Sequence, residues 1–351
     1  MTEYSGSDIP FLSASATAAA IRAKDVSSVE VVQAYLDRID RLDPTLKAYI
    51  TVCREEALTA ASQLDSDLAS GANCGPLAGV PVAVKDQYQT AGILTTNGSK
   101  VYQNFVPTQD ATVVSRIKQA GGILLGKLNL SELAMGGTEQ PPWGIPGNPW
   151  DLERTPGESS SGSGVALAAH LCAASMGEDT GGSGRGPASY CGVVGLRPTF
   201  TRITRYGMTP MCWFMDAAAP MTKTVEDCAL LLGTIAGYDP NDLYTSRRAV
   251  PDYTADLGKS ISGLRVGLIR ELHESADFHP EVKSAIEAAM EVFRNLGCQM
   301  QEVSIPLIAK AGAIFVGIAD TEGAGARDEI LRTQPENLDR ASRTRLQSAA
   351  L

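Results

Sequence analysis

The segment Val80-Pro-Val-Ala-Val-Lys-Asp86 is short, rich in β-branched residues and almost continuously apolar. A strand that is buried on both faces has this pattern, because both of its sides contact other layers of the protein. A helix is predicted over about 111–120, and a second apolar run, Ile123-Leu-Leu-Gly-Lys127, follows it after Gly121-Gly122. A strand, a helix and a second strand in this order predict a βαβ crossover. The sequence therefore predicts an α/β fold.

Helices are predicted on both sides of this crossover. Ser27-Ser-Val-Glu30 has the pattern of a capping box, and the helix that it starts is expected to end near Asp43-Pro44. An alanine-rich segment over about 55–70 predicts a second helix. Further along, Thr224-x-x-Asp227 has the pattern of another helix N-terminus.

The same alternation continues toward the C-terminus. Strands are predicted at 193–196, 264–269 and 298–305, with a helix over 280–296 between the last two. We expect an N-terminal helical region over 1–75 and an α/β core over 76–351, joined in one structural domain.

Composition and charge favour an ordinary globular protein. The 351 residues include 44% hydrophobic and 20% charged residues and have a formal net charge of −10. This charge argues against non-specific attraction to nucleic acid or to anionic lipid. No run is apolar enough for a membrane span, and the N-terminus lacks the layout of a signal peptide. We therefore expect a cytoplasmic protein with no membrane partner.

The cysteines and histidines give little support to a metal centre. The seven cysteines are scattered, without a Cys-x-x-Cys pair or ligand-like spacing to a histidine. Reduced structural thiols are the expectation, and neither a metal nor a cofactor is predicted.

One glycine-rich stretch is the main candidate for chemistry. In Met176-Gly-Glu-Asp-Thr-Gly-Gly-Ser-Gly-Arg-Gly-Pro-Ala-Ser189, small residues surround the hydroxyl of Ser183. Backbone of this kind can approach a ligand closely and turn several N–H groups toward an oxyanion, particularly if a helix begins near Pro187. An ordinary glycine-rich surface turn is the alternative interpretation.

Several familiar catalytic patterns fit poorly. The three histidines, His170, His273 and His279, give weak support to a Ser-His-Asp triad, and the Gly-x-Ser-x-Gly elbow is absent. Gly157 to Ser163 begins like a phosphate loop but has Ser163 where the lysine is required. Ser115-Arg-Ile-Lys118 matches a bare Ser-x-x-Lys pattern inside an amphipathic helix, where a solvated face is the simpler interpretation.

What remains is a lysine, a serine-rich loop and a serine among glycines. Lys85 stands at the C-terminal end of a predicted strand, where ligands collect in open α/β sheets. A buried lysine can deprotonate a serine, because desolvation disfavours the ammonium form. A second serine from the 159–163 loop would relay the proton. Composition alone favours a different interpretation, in which Lys85 is a surface lysine and the 159–163 segment is a flexible linker.

These segments together resemble the amidase signature family. The resemblance covers roughly residues 30–305 and is carried by the following segments: Gly79 to Asp86, Gly157 to Ser163, Gly177 to Arg185, Cys191 to Thr199, Asp110 to Val114, Leu125 to Asn129, Asn148 to Asp151, Arg205 to Gly207 and Thr224 to Leu232. It implies an α/β/α sandwich with a central mixed sheet flanked by helices.

The resemblance also implies the site residues. Ser183 would be the nucleophile, Ser159 the bridging serine after a cis peptide bond, and Lys85 the general base. The separation of 24 residues between Ser159 and Ser183 matches the family (183 minus 159). The family's oxyanion hole would correspond to the amides of Thr180, Gly181, Gly182 and Ser183. Substrate contacts are expected from Met135, Gly136, Trp213 and Asp216.

The chain departs from the family pattern at three positions near this site. Glu158 and Ser161 replace glycines, and Gly184 replaces a bulky aliphatic residue. A carboxylate at Glu158 would favour the ammonium form of Lys85 if it lies close, and would have little effect if it faces solvent. Gly184 is expected to loosen the turn or widen the pocket. The chain also ends at Leu351, before further elements that family members carry, so we expect the C-terminal part of the fold to be missing.

The first functional hypothesis is an amidohydrolase that cleaves a carboxamide C–N bond through an acyl-enzyme. One alternative is the A-subunit of a glutamyl-tRNA amidotransferase, which frees ammonia from glutamine. The other is a catalytically impaired or fragmentary protein of the same fold. The bulky segment Met211-Cys-Trp-Phe-Met-Asp216 resembles stand-alone amidases and favours the first. The expected partner is a small amide substrate. Nucleic acid is expected only if the chain is part of an amidotransferase complex. A homodimer is also possible.

Overall fold

A central sheet organises the computed structural model, which describes residues 6–274 and 278–350. Contacts divide the chain into two compact units, one formed by residues 1–254 and 319–351 and the other by residues 255–318. The sheet of the first unit has six strands: β1 (Tyr49–Val52), β2 (Pro81–Lys85), β3 (Ile123–Leu128), β4 (Ala174–Asp179), β5 (Val194–Gly195) and β6 (Ala217–Thr222). The predicted boundary near residue 75 stays a prediction.

Helices flank this sheet. Those of the first unit before residue 254 are α1 (Ala14–Ala23), α2 (Ser28–Leu46), α3 (Arg54–Ala69), α4 (Thr112–Gln119), α5 (Ser161–Ala168), α6 (Arg185–Cys191) and α7 (Val225–Ile235). The capping box that begins α2 is confirmed, because the Ser27 hydroxyl accepts from the Glu30 N–H and the Glu30 carboxylate accepts from the Ser27 N–H. The Thr224 hydroxyl caps α7 through the Asp227 N–H, as predicted.

The strand order is β1-β3-β2-β4-β6-β5. β2 is parallel to both β3 and β4, whereas β1, β5 and β6 pair antiparallel with their neighbours. The βαβ crossover β2-α4-β3 is therefore confirmed, and every residue of β2 is buried. Because β2 and β4 are parallel neighbours, their C-terminal ends lie at the same edge of the sheet.

Two predicted boundaries are corrected. α2 does not end near Asp43-Pro44 but continues through Pro44 to Leu46, so the proline lies in the last turn of the helix. The strand predicted over 193–196 is reduced to the two residues of β5 at the edge of the sheet.

Residues 255–318 form a second, smaller sheet. β7 (Arg265–Ile269) and β8 (Gln299–Val303) pair in parallel, and α8 (Arg270–His273) and α9 (Pro280–Asn295) lie between them in the chain. This confirms the predicted strand, helix and strand. The two strands do not join the six-stranded sheet.

The last helices are α10 (Ala311–Ala326), α11 (Asp328–Thr333) and α12 (Arg340–Ala349). Side chains after residue 319 form an apolar cluster with the segment that follows β3: Leu133, Met135, Ala324, Ile330, Leu338 and Leu346. Among the residues that the structure describes, no helix is long and apolar enough to cross a membrane.

The start of α6 packs closely against β6. A Cβ built on Gly184 would lie 2.7 Å from the Cβ of Ala219 and 3.4 Å from that of Asp179. Gly184 is buried, so the absent side chain leaves no free space. The expectation that Gly184 loosens the turn is therefore wrong, since the glycine allows a tight contact.

Gly184→Ala should lower the free energy of unfolding by about 1–3 kcal/mol, because the new methyl group overlaps a buried neighbour. Denaturant unfolding of the variant measures this change. Gly233→Ala on the exposed face of α7 is the control, since its added methyl meets nothing within 4 Å; it should be neutral or stabilising. The double variant Gly184→Ala/Ala219→Gly should regain part of the loss, and equal stability of Gly184→Ala and wild type would contradict the packing argument.

Candidate active site

Lys85 is the centre of the site. It is the last residue of β2, and its side chain has no solvent exposure. Its Nζ donates a hydrogen bond to Oγ of Ser159 over 2.8 Å. The interpretation of Lys85 as a surface lysine is therefore excluded.

Ser159 lies in an ordered loop that leads into α5. The peptide bond between Glu158 and Ser159 is cis. The Ser160 N–H donates to the Ser183 carbonyl at 3.2 Å, which joins this loop to the turn that carries Ser183. Oγ of Ser160 in turn accepts from the Glu178 N–H at 3.1 Å. These bonds exclude the flexible-linker interpretation of 159–163.

The turn around Ser183 is held by one carboxylate. Asp179 accepts from the N–H groups of Gly182, Gly184 and Arg185 at 2.9–3.3 Å. Its carboxylate also pairs with the guanidinium groups of Arg185 and Arg197. Gly182 has φ +125°, a conformation that residues with a Cβ rarely adopt. The glycine-rich stretch is therefore fixed in one conformation, and Ser183 is half-buried at its tip.

The amides of this turn differ in their partners. The Gly182 N–H is engaged by Asp179, as just described. Within 6–274 and 278–350, no protein acceptor is found for the N–H groups of Thr180, Gly181 and Ser183. These three amides are available to a ligand, whereas the Gly182 amide is occupied. α6 begins at Arg185, two residues before the predicted start at Pro187.

Burial lowers the pKa of Lys85 below that of an ordinary lysine, because the ammonium form loses its hydration. The negative charges of Glu178, Asp216 and Asp179 act in the opposite direction, but burial has the larger effect. A lysine in this setting is neutral over a wider pH range than a solvated one. The environment thus suits a general base.

The other patterns weighed from the sequence find structural roles. His170 stacks on Phe11 with ring centroids 4.5 Å apart, and burial lowers its pKa to about 4. Lys118, on α4, pairs with Asp110 at 2.8 Å. Among the described residues, no group of three or more histidine, cysteine or acidic side chains is arranged to hold a metal ion.

The comparison with known proteins gives the family. The Amidase family model matches residues 30–348. The chain belongs to the amidase family. The A-subunit of the glutamyl-tRNA(Gln) amidotransferase of Desulfatibacillum aliphaticivorans is 44% identical over 302 residues, which are 86% of this chain and 62% of that protein. The corresponding protein of Geobacter sulfurreducens is 48% identical, with the same two shares.

Solved structures similar to this chain have the same fold. One of them belongs to a vestigial protein complex that reveals the evolutionary origins of an s-triazine catabolic enzyme. It matches with a TM-score of 0.91 and 33% sequence identity, and the match covers 97% of this chain and 74% of that chain. The peptide amidase of Stenotrophomonas maltophilia matches with a TM-score of 0.84 and 34% sequence identity, and the match covers 93% of this chain and 69% of that chain. The predicted α/β fold, with a mixed central sheet between helices, is confirmed. The chain spans about 62% of the length of these curated relatives.

Within this amidase-family site, Glu158 faces away from the lysine. Its side chain is exposed, and its Oε2 accepts from the Gly137 N–H at 2.6 Å. A Cβ on Gly136 would lie 3.1 Å from the same oxygen. Of the two arrangements that the sequence left open, the structure has the solvent-facing one. The Glu158 carboxylate therefore binds the Gly137 N–H rather than the amine of Lys85.

The carboxylate beside Lys85 is Glu178, which the sequence analysis did not single out. Its Oε2 lies 3.1 Å from Lys85 Nζ, and both side chains have no solvent exposure. The available signal was a charged residue in a short strand whose residues before it are uncharged. Its meaning depended on the pairing of β4 with β2, which the sequence does not show directly.

The four predicted substrate-binding residues occupy different environments. Met135 is buried in the cluster beside α12, and Gly136 is half-buried next to Glu158. Trp213 is 51% exposed. Asp216 is buried, and its carboxylate accepts from the N–H groups of Met211 and Cys212 at 2.8 and 2.9 Å. Their role in substrate binding stays a prediction.

Asp179→Asn should lower the free energy of unfolding at neutral pH by about 3 kcal/mol, because two guanidinium groups and three N–H groups lose an ionised partner. Burial acts to raise the pKa of Asp179, but its bonds with Arg185 and Arg197 lower it below the usual range. The stabilisation is therefore complete above pH about 4 and is lost as the pH falls through the lower folded pKa. Denaturant unfolding at several pH values measures it.

The control is Asp151→Asn, since Asp151 is half-exposed and pairs only loosely with Arg154 at 3.6 Å. It should cost less than about 1 kcal/mol at every pH. A deficit for Asp179→Asn that stays constant from neutral pH down to pH about 3 would show that the ionised form does not provide the stabilisation.

Proposed function

We propose that this chain hydrolyses carboxamides through an acyl-enzyme, with Ser183 as nucleophile, Ser159 as bridge and Lys85 as general base. The observation that carries the proposal is the 2.8 Å hydrogen bond between Lys85 Nζ and Ser159 Oγ in a fully buried setting. Because Ser160 is bonded to the Ser183 carbonyl, the bridging serine and the nucleophile lie on connected loops.

In the proposed acylation, Oγ of Ser183 attacks the amide carbon while its proton moves to Ser159 and the Ser159 proton moves to Lys85. The C–N bond then breaks, and the relay returns the proton to the departing amine or ammonia. Water attacks the ester in the second half-reaction, and its proton follows the same route. The products are a carboxylic acid and an amine or ammonia, and Ser183 is regenerated.

The amides of Thr180, Gly181 and Ser183 are the proposed donors to the oxyanion. They have no protein acceptor among the described residues and lie in a turn that Asp179 fixes. Donors that are already oriented stabilise developing charge without a cost of reorganisation. The Gly182 amide, which the resemblance also implies, would have to leave Asp179 to take part.

Apolar side chains support a small organic amide as substrate. Trp213 and Phe214 are 51% and 64% exposed, and both follow Met211 and Cys212, whose N–H groups bind the buried Asp216. Together with Met135 and Gly136, they are the proposed pocket wall. Exposed aromatic side chains near a reactive group commonly contact ligands.

A second candidate function is glutamine hydrolysis within an amidotransferase. The specific observation in its favour is the 44–48% identity to relatives named as the A-subunit of glutamyl-tRNA(Gln) amidotransferase. The triad would be the same, but other proteins of the complex and a tRNA would be partners. Ammonia release from glutamine and from simple primary amides, each measured with the isolated chain, separates the two candidates.

The cytoplasm is the proposed location. All seven cysteines are free, and six of them are buried. Free thiols of this kind are typical of a reducing compartment.

Ser183→Ala should lower kcat for an amide substrate by about a thousandfold or more, because only binding and oxyanion stabilisation remain. Ser159→Ala and Lys85→Ala should each cost nearly as much and be strongly non-additive with it. Intact mass should show one sulfonyl group added by a serine-directed sulfonyl fluoride, and none on Ser183→Ala.

Ser189→Ala is the matched control, since Ser189 is exposed on α6 six residues after the nucleophile. It should keep both activity and labelling. Wild-type labelling that persists in Ser183→Ala, or a residual rate within tenfold of wild type, would reject the assignment.

A further inference from the structure

A chain of buried acidic groups begins at the proposed base. Lys85 Nζ has two partners, Oγ of Ser159 at 2.8 Å and Oε2 of Glu178 at 3.1 Å. Glu178 reaches the lysine because β4 pairs in parallel with β2, with Val84 opposite Met176. Both members of the ion pair are completely buried. Solvent therefore does not screen their interaction.

The second oxygen of Glu178 continues the chain. Its Oε1 contacts the hydroxyl of Thr180, and the same hydroxyl lies 2.6 Å from Oδ1 of Asp216. A hydroxyl has one proton to donate, and an ionised carboxylate only accepts. Two hydrogen-bond contacts from one hydroxyl to two carboxylates thus require a second proton. A proton on one of the two carboxyl groups would satisfy both contacts.

Asp216 is the better holder of that proton. It is buried, and burial together with the charge of Glu178 raises its pKa to about 7. Glu178, by contrast, has an oxygen 3.1 Å from the buried amine of Lys85.

We propose that Glu178 is a positioning residue that sets the protonation state of Lys85, and that Thr180 links it to Asp216 so that the two carboxyl groups hold one proton between them. The first half rests on the proposed function, in which Lys85 is the base. The second half concerns the folded protein and is independent of catalysis.

The other polar groups around this cluster are accounted for. Asp179 is neutralised by Arg185 and Arg197. Tyr88, which follows β2, donates to the Gly177 carbonyl and stays neutral because burial raises its pKa well above the usual value. Of these two groups, only Asp179 acts on the pKa of Lys85, and its effect is smaller than that of Glu178.

Two groups reach the cluster from its other side. Cys212 contacts Glu322, and burial raises the pKa of its thiol to about 12, so it stays neutral. Arg327 is buried and donates to the carbonyl groups of Leu133, Pro210 and Gly323. Its positive charge interacts with both Asp216 and Glu178.

The sign of the effect follows from these charges. Ionised Glu178 favours the ammonium form of Lys85, so neutral base appears at higher pH than burial alone would give. Glu178→Gln keeps the shape and removes the charge. The ascending limb of the pH profile should therefore move to lower pH, by about one to three pH units for a charge at this distance.

The experiment measures the rate at which a sulfonyl fluoride labels Ser183 as a function of pH, and kcat/KM for one primary amide over the same range. Wild type, Glu178→Gln and Glu158→Gln are compared. We expect Glu178→Gln to move the ascending limb to lower pH, and Glu158→Gln to leave it in place because that carboxylate is exposed and bonded to Gly137. Superimposable limbs for Glu178→Gln and wild type would overturn the first half of the proposal.

Infrared spectroscopy tests the shared proton without any turnover. The carbonyl stretching band of a protonated carboxylic acid should be present in wild type below pH about 7 and titrate near that value. It should be absent in Asp216→Asn and retained in Glu158→Gln. Thr180→Val should change the midpoint, whereas Thr180→Ser, which keeps the hydroxyl, should preserve it.

A wild-type spectrum at pH 6 without this band would overturn the shared proton. Failure of the proposed function has a different signature, since the sulfonyl label would then be absent or would persist in Ser183→Ala. In that case the infrared band would still decide whether Glu178 and Asp216 share a proton.

Discussion

The burial of a lysine amine at the end of β2 is the constraint on which the rest of the site depends. An amine without water must find hydrogen-bond partners within the protein, and here they are Ser159 and Glu178. Each partner in turn requires a particular backbone. Ser159 needs the ordered loop before α5, and Glu178 needs β4 to run parallel to β2. The hydrogen bonds of Lys85 thus connect three separate segments of the chain, which are β2, the loop before α5, and β4.

Asp179 extends that constraint to the turn that carries Ser183. It is adjacent to Glu178 on β4, so the two carboxylates point to opposite faces of the strand. The Glu178 carboxylate lies beside Lys85, and the Asp179 carboxylate accepts hydrogen bonds from N–H groups of the turn around Ser183. The glycines of this turn are needed because the backbone has a positive φ at Gly182 and contacts β6 at Gly184. A short strand ending in two acids therefore organises both halves of the site.

Much of this arrangement could be predicted from local sequence. The apolar run before Lys85, the capping box at Ser27 and the crossover to β3 follow from patterns of a few residues, and the structure confirms them. The contact between Lys85 and Ser159 was expected, because the resemblance to the amidase signature family implies that these two distant segments of the chain lie together. Glu178 was not expected, since its position depends on the register between two strands that lie far apart in the sequence. The compact unit formed by residues 255–318 was missed for a similar reason, because its βαβ pattern does not reveal which sheet it joins.

Glu158 and Glu178 show why proximity in sequence is a poor guide to which charge affects Lys85. Glu158 is covalently next to Ser159, but its carboxylate is exposed and bound to the Gly137 N–H, so water and ions screen its charge. Glu178 is 19 residues away from Ser159 along the chain (178 minus 159), yet it touches the lysine in a setting without solvent. The strength of a charge–charge interaction depends on distance and on the surrounding dielectric, and both favour Glu178. Burial of Lys85 and the charge of Glu178 then act in opposite directions on the pKa of the same amine, and burial has the larger effect.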